Sequence, residues 1–218
     1  MLRSVRCGML SVVLIGLLAL VSCSGFFVSE STVNNVAVSP ESVIIKTGTD
    51  SATNHISLDA TSITVGGNTS DVTSTATWST DNGDVATVAA GVVTAGNTAG
   101  NTTIKAKQGG VSGTASVIAT NTALPTTLTV TGPTQLNLNS RTQFTATVPV
   151  NVINGSADIS SFVSWSSSNT AIATVSSNGI VTAVASCSTL GTACPTITAT
   201  VSTPSNTLSD SVTISLIQ

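Results

Sequence analysis

The chain has 218 residues and a formal net charge of −3; only 7% of its residues are charged, while 41% are hydrophobic. So few cations exclude a nucleic-acid binder, which needs a basic face against phosphate. So much apolar content at so low a net charge excludes a disordered chain. The length suits a short leader followed by two domains of roughly 90 residues each.

The chain starts with a positive segment: Arg3 and Arg6 come early, and the first acid is Glu30. Met9 to Val21 is an apolar run. It is too short for a transmembrane helix, which needs ~20 residues, and fits the core of an export signal. The run ends in Leu20-Val21-Ser22-Cys23, which resembles the lipobox of bacterial lipoproteins. The resemblance implies that residues 1–22 are a cleaved signal peptide, that Cys23 carries a diacylglyceryl group on its thiol, and that residues 23–33 are anchor and spacer. Ser24, in place of an Asp after the Cys, implies the outer membrane of a diderm bacterium. Ordinary signal cleavage before Gly25 is the alternative. Several acyl chains anchor firmly where one does not, so the first expected partner is the membrane, through Cys23. Without the leader, four basic residues (Lys46, Lys105, Lys107, Arg141) and nine acids remain, for a formal charge of −5.

The rest of the chain is one unit written twice. Asp71-Val72-Thr73-Ser74-Thr75-Ala76-Thr77-Trp78 aligns with Asp158-Ile159-Ser160-Ser161-Phe162-Val163-Ser164-Trp165. Val85-Ala86-Thr87-Val88 follows in register with Ile172-Ala173-Thr174-Val175. Then Gly91-Val92-Val93-Thr94-Ala95 matches Gly179-Ile180-Val181-Thr182-Ala183, and Thr103-Ile104-Lys105-Ala106 matches Thr196-Ile197-Thr198-Ala199. Apolar residues alternate with Thr, Ser or Lys in these runs, which predicts strands with one buried and one wet face. β-Branched residues suit such a surface. Turn signals punctuate the runs at Gly66-Gly67-Asn68, Asp81-Asn82-Gly83, Gly109-Gly110, Asn154-Gly155 and Asn178-Gly179. The fold class predicted is all-β, with two tandem antiparallel β-sandwiches.

The series Trp-Ser-(Ser/Thr), (Val/Ile)-Ala-Thr-Val, Gly-(Val/Ile)-Val-Thr-Ala and Thr-Ile-(Lys/Thr)-Ala resembles the bacterial immunoglobulin-like domain of group 2, found in intimin- and invasin-type adhesins. The resemblance implies an Ig-like sandwich at 34–120 and another at 127–218, joined by the linker 121–126. That linker is short and holds Pro125, which limits bending and predicts a stiff, elongated pair.

Trp78 and Trp165 sit within alternating strands and are expected to anchor the two cores; a sugar-stacking role suits a freer position. Burying an indole removes ~150–250 Å² from water. Cys187 and Cys194 are the cysteines left after the leader, and an exported chain favours a disulfide between them. Metal binding at these cysteines lacks further ligands.

Catalysis is not expected. His55 is the one His, at the edge of a strand, and a Ser nucleophile needs a base. Asp81 and Asp84 flank Asn82-Gly83 and form a weak Ca²⁺ candidate; the second copy has Ser167-Ser168-Asn169-Thr170 there, which favours a plain turn. No cofactor is expected. Two functional readings remain. One is a lipid-anchored structural or interaction module of the cell envelope. The other is a surface adhesin that binds a protein or polysaccharide ligand through its loops. With no adhesive tip after Gln218, the first is preferred.

Overall fold

A computed structural model describes residues 31–150, 155–187 and 193–217. The leader with Cys23, and most of the loop between Cys187 and Cys194, lie outside the described residues. The first unit contains β1 (Val33–Ser39), β2 (Ser42–Lys46), β3 (His55–Ser57), β4 (Asp59–Thr64), β5 (Thr69–Asp71), β6 (Thr77–Thr80), β7 (Ala86–Ala89), β8 (Val92–Ala95), β9 (Gly100–Gln108) and β10 (Val111–Thr120). The second contains β11 (Thr129–Thr131), β12 (Gln135–Asn137), β13 (Arg141–Gln143), β14 (Thr145–Val150), β15 (Gly155–Asp158), β16 (Ser164–Ser167), β17 (Ala173–Val175), β18 (Ile180–Ala183), β19 (Thr196–Ser202), β20 (Thr207–Thr213) and β21 (Ser215–Ile217).

Each unit is an Ig-like antiparallel β-sandwich, and the two repeat one pairing scheme. In the first, β1-β4-β5 and β3-β8-β7 form one layer, and β2-β10-β9-β6 the other. In the second, β11-β14-β15 and β13-β18-β17 face β12-β21 and β20-β19-β16. The edge strands β2 and β12 run parallel to the last strands of their units, β10 and β21; the other pairings within each unit are antiparallel. The predicted alternation appears directly: Thr102, Ile104 and Ala106 of β9 are buried, as are Ile197, Ala199 and Val201 of β19.

A bend serves both layers. β3 and β4 are separated by Leu58, and β13 and β14 by Phe144; both side chains are fully buried. At the bend the Leu58 N–H donates to the Gly91 carbonyl, and the Phe144 N–H to that of Gly179, each at 2.8 Å. Gly91 and Gly179 have φ of 84° and 79°, a conformation that glycine adopts without the steric cost of a Cβ. A Cβ there would meet the Leu58 or Phe144 carbonyl oxygen at 2.5 or 2.6 Å.

The two units also join outside the linker. The free side of β2 meets β19, with Val43 opposite Ser202, so that β16-β19-β2-β10-β9-β6 is one continuous order. Ser164 Oγ donates to Glu41 Oε2 at 3.1 Å, and Ser42 Oγ donates to the Phe162 carbonyl. On β2, Val43 and Ile45 belong to the first core, whereas Ile44 belongs to the second. Burying an isoleucine side chain stabilises by ~1.5–3 kcal/mol.

Candidate functional site

Both predicted tryptophans are half-buried and pack against the cores of their own units. Their indoles are held in the same way. Trp78 Nε1 donates to the Thr73 carbonyl at 2.8 Å, and Trp165 Nε1 to the Ser160 carbonyl at 2.7 Å. Thr73 Oγ1 in turn accepts the Ala60 N–H at 2.8 Å, and Ser160 Oγ accepts that of Ala146 at 2.9 Å. Each hydroxyl residue is set by an acid two positions earlier: Asp71 Oδ1 accepts the Thr73 N–H, and Asp158 Oδ1 the Ser160 N–H, both at 2.9 Å.

The result is an Asp–hydroxyl–indole network that ties the loop before β6 or β16 to β4 or β14. It lowers the pKa of both acids. At Asp71 the main cause is the Thr73 backbone N–H, followed by its hydroxyl. At Asp158 the Ser160 hydroxyl comes first and its N–H second. The shared offset of 87 between Asp71–Trp78 and Asp158–Trp165 marks these residues in the sequence. Their capping role is a three-dimensional fact that the alternation pattern does not carry.

Cys187 Sγ is bonded to Cys194 Sγ, with a Cα–Cα distance of 5.1 Å. Cys187 is a member of the second core and Cys194 packs against it, so the bond lies against the sandwich.

At the turn after β6, Asp81 Oδ1 lies 2.6 Å from Lys105 Nζ. Asn82 shapes the turn: its Oδ1 accepts the Asp84 N–H at 3.1 Å, and its N–H donates to Thr102 Oγ1 at 2.9 Å. Asn169 does the equivalent work in the second unit, where its Oδ1 accepts the Ala171 N–H at 3.1 Å. Among the described residues no group of three or more His, Cys, Asp or Glu side chains gathers into a cation site. His55 is exposed and its Nδ1 lies 3.2 Å from Asn54 Oδ1.

Two open clefts flank the contact between the units. One, of about 540 Å³, is lined by Asn35, Glu41, Ser112, Thr114, Ser164 and Trp165 among others. The other, of about 640 Å³, includes Glu41, Ile56, Thr200, Thr203 and Thr207. Among the described residues, Glu41 is the one charged side chain lining either. Glycoside hydrolysis takes a pair of carboxylates, and acyl transfer a nucleophile beside a base. Neither arrangement lines these clefts.

No family model matches the chain. Over 185 residues it is 34% identical to "Ice-binding protein 1" of Shewanella frigidimarina (strain NCIMB 400), covering 84% of this chain and 19% of that protein. The chain thus spans about a fifth of that relative's length. Among solved structures, it is similar to domains 5–6 of the S-layer protein SbsC at 17% identity, covering 85% of this chain and 98% of that one, with a TM-score of 0.35. It is also similar to the C-terminal 282-residue fragment of intimin, in complex with the intimin-binding domain of its translocated receptor, at 16% identity. That match covers 85% of this chain and 66% of the fragment, with a TM-score of 0.28.

Proposed function

We propose that the chain is a non-catalytic, lipid-anchored module of the bacterial cell envelope, in which two Ig-like units act as a structural or interaction element. The observation that carries this reading is the duplicated sandwich. Residues that the two copies share, Asp71 and Trp78 in one and Asp158 and Trp165 in the other, are engaged in holding the fold together. Its exposed strand positions are mainly Thr, Ser and Asn. The apolar run ending at Cys23 supports export and anchoring, and the disulfide agrees with an oxidising compartment.

The likeness to an ice-binding protein covers 19% of that protein, which supports a shared module and does not carry over a ligand. The adhesin reading keeps one support, the pair of hydroxyl-lined clefts beside Glu41.

The test is protease accessibility in a diderm host expressing the full chain. Digestion in intact cells, or once the outer membrane is opened, is the expected result, and the first of these outcomes directs a ligand search to the outer surface. Protection that persists in spheroplasts, until the cytoplasmic membrane itself is lysed, would overturn the proposal.

A further inference from the structure

We infer that the contact between the two units is a matched seam, specific to their order, through which the first unit stabilises the second. A strand at the edge of a sandwich buries one face, yet Ser42, Val43, Ile44 and Ile45 of β2 are all buried. Val43 and Ile45 face their own core, and Ile44 turns outward. Beside it on β10 stands Ile118, its partner in the parallel register. These two side chains lie against Val148, Ala157 and Ile159 at one end of the second sandwich, leaving a residual cavity of about 100 Å³ that Pro125 of the linker also lines.

The repeat supplies the control. Trp78 pairs with Ala106, and Ala106 with Gly113; Trp165 pairs with Ala199, and Ala199 with Asp210. Stepping five residues on from Gly113 reaches Ile118, which is opposite Ile44. Stepping five on from Asp210 reaches Ser215, which is opposite Gln135. The outward pair is therefore Ile–Ile on the unit whose edge strand is covered and Ser–Gln on the unit whose edge strand, β12, has no further strand beside it among the described residues.

The receiving end shows the same contrast. Val72 donates its N–H to the Ala60 carbonyl, as Ile159 does to that of Ala146, so β4–β5 and β14–β15 superpose in register. The pair Val148–Ala157 in the second unit is then Ser62–Ser70 in the first, closed by a hydrogen bond from Ser62 Oγ to the Ser70 carbonyl at 3.4 Å. Apolar side chains occupy these positions only where the two units meet. One unit presents the isoleucines and the other the apolar end, so the seam fits the order first-then-second. Neither unit offers both halves to a second copy of itself.

The chain carries its own reporters, since it has two tryptophans, one in each unit. Fluorotryptophan-labelled full chain gives one ¹⁹F signal per unit, followed through a urea titration. In the parent the two native signals are expected to disappear together. Ile44→Gln places in the first unit the residue that its own repeat carries there. It is expected to move the loss of the Trp165 signal to lower urea while the Trp78 signal persists, even though the substitution lies in the first unit. Ile118→Ser, again the repeat's own residue, gives the same split by an independent change and covers the case in which Ile44→Gln does not fold. A Trp165 transition that stays in place in both variants, or a Trp78 transition that moves with it or ahead of it, overturns the inference.

Discussion

Trp165 donates its indole N–H to the carbonyl of Ser160 at 2.7 Å, five residues back along the chain. Ser160 stands between that indole and Ala146: it gives its carbonyl to one and accepts a backbone N–H from the other at 2.9 Å. One residue thus fixes both the tryptophan and the bent strand over which it lies. Replacing Ser160 by Ala leaves the buried N–H of Ala146 without its partner, at a cost of ~1–3 kcal/mol. Urea denaturation of the variant is expected to show a lower midpoint with an unchanged slope, and Thr73→Ala is expected to do the same in the first unit.

The indoles themselves give a larger effect. Trp→Ala in a core typically costs ~3–5 kcal/mol, a large part of a small domain's net stability of ~5–15 kcal/mol. Trp78→Ala and Trp165→Ala are each expected to melt well below the parent, as read by circular dichroism. A loss of less than ~1 kcal/mol would place the rings on the surface.

The acids that position the hydroxyls set a pH dependence. Asp71 and Asp158 are both held below their ordinary value when folded. A depressed carboxylate contributes stability that is fully present above the unfolded value of ~3.9 and fades as pH falls through the folded value. Melting temperature is expected to be flat through neutral pH and to drop on the acid side. Asp158→Asn keeps an oxygen for the Ser160 N–H and does not titrate there, so its acid limb is expected to be shallower than that of the parent.

Gly91 and Gly179 are the backbone counterpart of the tryptophans. Their positive φ and the carbonyl oxygens in front of them leave no room for a Cβ. Gly179→Ala also drives a methyl group to 2.9 Å from Trp165 Cζ2. The expected loss exceeds ~1 kcal/mol. Gly67→Ala, with a similar φ and open space around it, is the comparison that separates backbone strain from the clash, and it is expected to cost less.

The turn at Asp81 gives a ligand test. With Asp81 paired to Lys105 and the turn closed by Asn82, Ca²⁺ is expected to leave the melting temperature unchanged up to millimolar concentration. A cation that binds only the folded chain raises stability with its concentration, so a rising melting temperature would assign these acids a binding role.

Much of this architecture is readable from residue order. Strands with one wet face announce themselves by alternation, as in Ile104-Lys105-Ala106-Lys107, and the pairs Trp78/Trp165 and Gly91/Gly179 recur because one bend and one indole contact are built twice. The capping acids are less legible, because Asp71 and Asp158 look like turn residues until the chain brings Ala60 and Ala146 beside their neighbours. Ile44 is harder still. The run Val43-Ile44-Ile45 reads as an ordinary strand, and only the outward direction of the middle side chain, set by the pairing of β2 with β10, shows that it serves the other unit. Continuous apolar runs signal strands buried on both faces, which is the trace the seam leaves in the sequence.

The proposal is that this sandwich pair is held at a membrane through Cys23. Its most direct test is metabolic labelling with a radioactive fatty acid, with the parent and Cys23→Ala expressed side by side and fractionated. A labelled parent in the membrane fraction is expected, with a variant that takes up no label and is either uncut or soluble. An unlabelled, soluble parent, or a Cys23→Ala variant labelled and partitioned like the parent, would contradict the proposal.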